Sequence, residues 1–316
     1  MTPAKPHLDT GLAEEVLQTI DTLNHGQHAG YRPVHAKGIL LAGHFMPSSD
    51  AASLTRADHA QRRSTPVTVR FSNATGLPSI TDADANAGPR GMAIRFHLGE
   101  HVHTDIIGHS VNGFPASNVD EFLELLRAII ATGPDSPHPT PIEAFLGAHP
   151  AALAFVQIPK PVPVSFFEES FYAVNAHRFT NSGGVSRYGR YRIRPAGSNE
   201  YLDAAAAAAQ PPNFLFDELS ARLAKGPVKM RIAVQVAAAE DVVNDATVQW
   251  PDNRSEIEFG TIELTSVLQD SEAEQRHIIF DPIPRVDGIE PSDDPLLEPR
   301  ASVYLVSGRR RRAAKG

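Results

Sequence analysis

The chain reads as an α+β protein built on an antiparallel sheet or barrel with helices beside it, and three observations predict this. Strand-like segments come in runs, with helical segments bunched between and after them, rather than alternating as βαβ units do. Proline is frequent, at 26 of 316 residues, which implies many fixed turns and long ordered loops. No glycine-rich phosphate loop follows a strand, so the mark of a doubly wound nucleotide-binding sheet is missing.

The elements follow in chain order. Val16, Leu17, Ile20 and Leu23 are spaced as on one helix face, and Gly26 can end that helix. Residues 67–72, 92–97 and 102–107 look extended. Ser117-Asn118-Val119-Asp120 resembles a capping box with Asp in place of Glu. Phe122, Leu125, Leu126, Ile129 and Ile130 then form an apolar stripe that Gly133 stops. Residues 141–155 read as helical with a break at Pro150, and 187–194 as a strand. The alanine run 204–209, followed by Gln210-Pro211-Pro212, reads as a short helix or loop. Residues 213–225 form a third amphipathic helix, stopped by Gly226. Val228, Met230, Ile232, Val234 and Val236 alternate with Lys229, Arg231, Ala233 and Gln235, the pattern of a half-buried strand. Residues 256–264 and 277–280 are also expected to be extended. The apolar stripes read as surfaces facing a core.

Composition sets further bounds. Apolar residues are 41% and charged residues 21%, which is globular rather than disordered. A chain of this length buries about 75% of its extended surface and needs no disulfides. With no cysteine, a disulfide scaffold, a thiolate metal site and a cysteine nucleophile are excluded. A net charge of −8 opposes a general nucleic-acid role, and the basic run Arg309–Arg312 with Lys315 reads as a solvated end. The N-terminal stretch lacks the apolar region of a secretory signal, and no run of 18 apolar residues could span a membrane. A cytoplasmic address is the expectation.

Three groups of residues suggest chemistry. Arg300 and Tyr304 lie four apart and would share a helix face. A phenol is ordinarily neutral, but a close guanidinium favours the phenolate, a hard anionic ligand suited to ferric iron. Read alone, the pair is equally an exposed one. In Arg32-Pro33-Val34-His35-Ala36-Lys37-Gly38, the histidine could be a general base, a ligand or a core residue. In Val69-Arg70-Phe71-Ser72, Arg70 and Ser72 share one strand face and could serve an anion and a histidine. His101, His103 and Asp105 would also share a strand face and offer a rival non-haem metal site.

Taken in order, His35-Ala-Lys-Gly38, Val69-Arg70-Phe71-Ser72, Gly88-Pro-Arg-Gly91-Met-Ala, Phe280-Asp-Pro282, Gly288-Ile-Glu-Pro-Ser292 and Arg300-Ala-Ser-Val-Tyr304 resemble the haem catalase family. The resemblance runs from about Tyr31 to Arg312. It implies an antiparallel eight-stranded β-barrel core with flanking helices. It also implies an N-terminal arm and helix (1–30) ahead of a single haem domain (31–316). The implied cofactor is haem b, ferric iron protoporphyrin IX. By resemblance, Tyr304 is the axial ligand of the haem iron and Arg300 its charge partner. His35 matches the distal histidine, Ser72 the hydroxyl at its other ring nitrogen, and Val34 the residue packing over the haem. Arg32, Arg70 and Arg311 match arginines that pair with the haem propionates.

Two departures from the family pattern matter. Where catalases carry a distal asparagine in Gly-Asn-Asn-Thr-Pro, this chain has Gly108-His109-Ser110-Val111-Asn112. The alignment puts Ser110 at that position, with Asn112 as a stand-in. The sequence also ends twelve residues after Tyr304, where full-size members continue, so it resembles the small catalase-related peroxidase branch. The implied activity is reduction of hydrogen peroxide or organic hydroperoxides by a small organic electron donor, through a ferryl intermediate. The alternatives are a true catalase and a non-catalytic haem carrier. The short arm before Tyr31 suggests a homodimer.

Overall fold

Eight antiparallel strands close into a barrel in simple chain order. The computed structural model describes residues 9–314. The strands are β1 (Gly38–Pro47), β2 (Thr65–Ser72), β3 (Gly91–Gly99), β4 (Val102–His109), β5 (Phe171–Tyr172), β6 (Ser186–Pro195), β7 (Val228–Val236) and β8 (Glu256–Val267). Each pairs with the next, and β8 returns to β1 from Leu41↔Val267 to Pro47↔Gly260, which leaves the ring without an open edge. His177–Thr180 and Ile289–Pro291 extend the sheet outward from β6.

Alternation decides what fills the ring. Val67, Val69 and Phe71 of β2 and Met92, Ile94 and Phe96 of β3 are buried inside, as a period of two requires. Phe45 meets Phe96 edge-on at 5.1 Å and stacks on Phe259 at 5.4 Å. Such aromatic pairs add about 0.5–1.5 kcal/mol each beyond their buried area.

The helices lie outside the ring: α1 (Thr10–Leu23), α2 (Val119–Ala131), α3 (Pro141–Ala148), α4 (Pro150–Gln157), α5 (Phe214–Leu223), α6 (Ser271–His277) and α7 (Leu297–Ala313). Val16 and Ile20 of α1 pack on Leu123 and Leu126 of α2. Ala13 and Leu17 pack on Val306 of α7. The alanine run forms a short helix, Ala204–Ala208.

One strand goes unpredicted, and two local expectations need correction. Strand β1 escapes a search for alternation because Leu40 and Leu41 are both fully buried. Leu40 lies under the start of α6, where Ser271 Oγ accepts its N–H at 2.8 Å. Residues 277–280 are not a strand: helix α6 ends at His277, with Glu272 and Glu274 in its first turn and Arg276 and His277 in its last, a charge order that suits the helix dipole. The carbonyls beyond it are taken by guanidinium groups instead of a neighbouring strand. The cap of α2 is Asn118, which accepts from Glu121 N at 3.0 Å, while the Glu121 carboxylate reaches back to Ser117. The box is therefore shifted by one residue from the expected Ser117.

Candidate functional site

The outer wall of the barrel carries a row of small and polar residues. Ser72 lies opposite Gly91, and Gly91 opposite His109. Arg70 and Ser72 point outward because Val69 and Phe71 point inward. Facing this wall are the loop 32–35 and one face of α7.

That loop is tied down at both ends. Asn24, which caps the end of α1, donates to the carbonyls of Ile20 at 2.9 Å and Pro33 at 2.8 Å, and accepts from Gly76 N. His35 has a left-handed backbone (φ 59°), an uncommon conformation for a side chain of this kind. It is held there by a bond from its N–H to Ala74 O at 2.8 Å. His35 Nδ1 lies 3.0 Å from Asn73 O and 3.2 Å from Ser72 Oγ. A carbonyl can only accept, so Nδ1 carries the proton and Nε2 is left with a free lone pair. Asn73 is itself fixed by Asp82 and Arg90 at 2.8 and 2.5 Å. Gly91 makes room for the ring: a Cβ there would sit 2.7 Å from His35 Nδ1 and 2.6 Å from Ser72 Oγ.

Arg300, Tyr304, Ser307 and Arg311 of α7 are spaced four, three and four apart and share one helix face. Arg300 Nε donates to the Tyr304 hydroxyl oxygen at 2.9 Å. Its other arm donates to Asn175 Oδ1 at 2.8 Å, and Asn175 donates to Asp294 at 2.8 Å. The guanidinium thus meets the phenol oxygen with its orientation fixed from behind.

Between the wall and α7 lies a cavity of about 790 Å³, with Val34, His35, Arg300 and Tyr304 among its lining. A second, more apolar cavity of about 980 Å³ shares those four residues and adds Phe114 and Phe122, so the two are lobes of one space. Arg32, Arg70 and Arg311 gather at the polar lobe. Arg32 donates to the carbonyls of Gln275 and Ile278, Arg70 to Gln275 Oε1 and the His35 carbonyl, and Arg311 to Ser307 Oγ and Ile278 O. Among the described residues none of the three meets a carboxylate, and Arg311 Nε is buried with no partner. Burial lowers Arg32 well below its ordinary value, with Arg70 and Arg311 adding repulsion; burial also lowers Arg70 to about 9 and Arg311 to about 10. Two buried cations, Arg70 and Arg311, and a half-buried one, Arg32, without a counter-ion are costly. The arrangement suits a ligand with an anionic end.

Burial and then Arg70 hold His35 down at about 3. Burial and then Arg300 hold His109 at about 3. Both rings are neutral near pH 7.

The structure brings Arg32, Val34, His35, Arg70, Ser72, Arg300, Tyr304 and Arg311 around one space. It does not bring Ser110 or Asn112 there. The residue on the cavity wall is His109, at the end of β4; Ser110 and Asn112 point the other way and line a separate cleft. Ser110 Oγ accepts from Arg90 N at 2.9 Å. Strand parity carried the signal, since His109 shares the outward face of Asp105 and Ile107. Asn175 was also missed, and Phe280, named only as part of a motif, was given no role; both meet the site only through the fold.

The rival metal trio does not converge. His101 sits in the turn before β4 with φ 59°, and Asp105 is held by Arg95 at 2.9 and 2.7 Å. Among the described residues no three histidine, aspartate, glutamate or cysteine side chains form a metal-binding group. In the basic run, Arg311 turns inward, Arg310 bonds Asp21 at 3.0 Å and Arg309 is exposed.

A closed barrel with a guanidinium-bound phenol and an imidazole around one cationic cavity defines a class, and the comparisons agree: the family model described as Catalase matches residues 12–315, and the chain belongs to the catalase family. Within it, the chain is similar to a catalase-related peroxidase of Mycolicibacterium paratuberculosis, 34% identical over 295 residues, covering 92% of each chain. It is 30% identical over 301 residues to a catalase-related peroxidase of Synechococcus elongatus, covering 93% of this chain and 87% of that one. A solved bacterial catalase shares the fold with a TM-score of 0.78 at 22% identity, covering 98% of this chain and 62% of that one. No helix among the described residues is long and apolar enough to cross a membrane.

Proposed function

We propose that the chain is a haem-dependent peroxidase that reduces hydrogen peroxide or organic hydroperoxides with electrons from a small organic donor. The observation that carries this is the grouping of three arginines that meet no carboxylate among the described residues with Tyr304 and His35 around one cavity. Haem has what this lining lacks: two carboxylates, a flat apolar face and a metal that accepts a phenol oxygen. Arg32, Arg70 and Arg311 would hold the carboxylates, Val34 would pack on the face, and the Tyr304 oxygen would bind the iron.

When bound, the haem supplies the redox equivalents that break the peroxide O–O bond. The protein's part is positioning and proton transfer. Arg300 donates a hydrogen bond to the phenol oxygen, which places a guanidinium beside the atom that would meet the iron. Nε2 of His35 takes the proton of the peroxide O–H and hands it to the departing oxygen. Nδ1–H stays on Asn73 O throughout, so the ring does not turn. General acid–base transfer of this kind contributes about 10²–10⁴-fold. Carboxylates beside Arg70 would offset the positive field that helps hold His35 down, bringing the base nearer neutral range. The backbone N–H of Val111 points at His109 Nδ1 at 3.3 Å, so His109 presents Nε2–H as a hydrogen-bond donor in the cavity.

The peroxidase reading is preferred to that of a true catalase because the two relatives named catalase-related peroxidase match along 92% and 87% of their own lengths. The test is a pair of rates on purified haem-loaded protein. Oxidation of an organic donor by tert-butyl hydroperoxide, with slow oxygen release from hydrogen peroxide, is the expected result. Fast oxygen release without donor oxidation would assign a catalase.

A further inference from the structure

Beyond β4 the chain passes from one side of a wall to the other. His109 faces the candidate haem cavity, whereas Ser110, Val111 and Asn112 line an open cleft. Tyr172 lines both spaces. It lies opposite His109 in the sheet, and its ring is covered by Arg192 at 5.3 Å. Tyr172 is therefore shared by the two spaces.

The cleft is built for a small polar molecule with a flat body. Glu169 is 97% buried. One of its oxygens accepts from Ser170 N at 2.8 Å and Tyr201 Oη at 2.9 Å, and the other has no partner among the described residues. The Asn112 amide and the Tyr172 hydroxyl also make no hydrogen bond among the described residues, and both line the cleft. Lys160 is already committed, donating to the carbonyls of Phe155 and Ile158. Pro159 and Tyr201 supply flat apolar walls. The free polar groups among the described residues are thus the Glu169 oxygen, the Asn112 and Gln249 amides and the Tyr172 hydroxyl, beside surfaces on which a ring can lie.

We infer that this cleft is the docking site of the electron donor, and that the donor is a hydroxyarene of the phenol or hydroquinone class. The proposal rests on the peroxidase reading above and names its second substrate. The donor's O–H donates to the free oxygen of Glu169, and Asn112 bonds its oxygen or a second hydroxyl. Each donor loses one electron and one proton, and its O–H bond is the one that breaks. The proton goes to the Glu169 carboxylate and the electron crosses the Tyr172 wall into the haem cavity. Two donors supply what one hydroperoxide needs: 2 ArOH + ROOH gives 2 ArO• + ROH + H2O. The O–O bond is reduced and the arenes are oxidised. Burial lifts the Glu169 carboxyl to about 7, so it can accept a proton near neutrality and release it again.

The test uses hydroquinone as probe, titrated calorimetrically into the purified protein, with the absorption spectrum recorded in parallel. Wild type should bind one equivalent. Glu169→Gln, which keeps the shape, and Asn112→Leu, at a half-buried position, should each weaken binding about tenfold without changing the haem spectrum. Absence of binding, or binding unchanged in both variants, would overturn the proposal. A protein that binds hydroquinone through Glu169 yet takes up no haem would sink the peroxidase reading and the donor role with it, leaving a plain binding cleft. The two failures are therefore distinguishable.

Discussion

Two buried histidines on opposite faces of the barrel wall behave alike in one respect and differently in every other. His59 is inside, packed against Phe45, Phe96 and Phe259; His35 is outside, on the candidate haem cavity. Burial lowers both, His59 to about 4 and His35 to about 3. Yet neither nitrogen of His59 has a partner among the described residues, whereas His35 has one nitrogen tied to Asn73 and the other free at a cavity. A displaced pKa marks burial. Function is marked by a held ring, an open nitrogen and a space beside it.

The largest effect that could break this contrast comes from removing the outer ring. His35→Ala should slow the reaction with peroxide about 10²–10⁴-fold while haem uptake persists, as stopped-flow absorbance would show; a full-speed variant would remove His35 from the mechanism. Gly91→Ala is gentler. Its Cβ would push on both His35 Nδ1 and Ser72 Oγ, and misplacement of about 1 Å costs on the order of 10²-fold. Unaltered rates in a correctly folded Gly91→Ala protein would show that the exact seat of the ring is unimportant.

Acid should expose what the two faces share. In the haem-free protein His35, His59, His109 and His177 all sit below the ordinary value of 6.5 because they are buried. The unfolded chain therefore takes up protons first. Their stabilisation is complete above about 6.5 and is lost as pH falls, at roughly 1.4 kcal/mol per pH unit for each. Urea melts between pH 7 and 5 should show the slope. The smallest effect is expected inside the barrel: His59→Phe removes two unpartnered nitrogens and should stabilise the protein by about 1 kcal/mol, with a shallower acid slope and unchanged peroxide kinetics.

The inner face was the more legible one. Residues 67–72, 92–97 and 228–236 alternate cleanly because one side of each strand meets an apolar core. Strand β1 did not alternate, since Leu40 and Leu41 are both covered. The outer face was legible only where a family pattern supplied positions. Arg32 reaches its acceptor carbonyls across 243 and 246 residues of chain, which no local pattern reveals. The motif pattern points to Ser110, whereas strand parity puts His109 beside Ile107 on the outer face, one residue away.

On the proposed function Tyr304, held by Arg300, would anchor a haem whose carboxylates pair with three arginines that meet no carboxylate among the described residues. Titrating haem into the haem-free protein while recording the absorption spectrum tests it most directly. Wild type should take up one equivalent with a sharp Soret band, and Tyr304→Phe should lose that band or shift it and bind weakly. A protein that takes up no haem, or one whose spectrum and affinity are indifferent to Tyr304→Phe, would contradict the account.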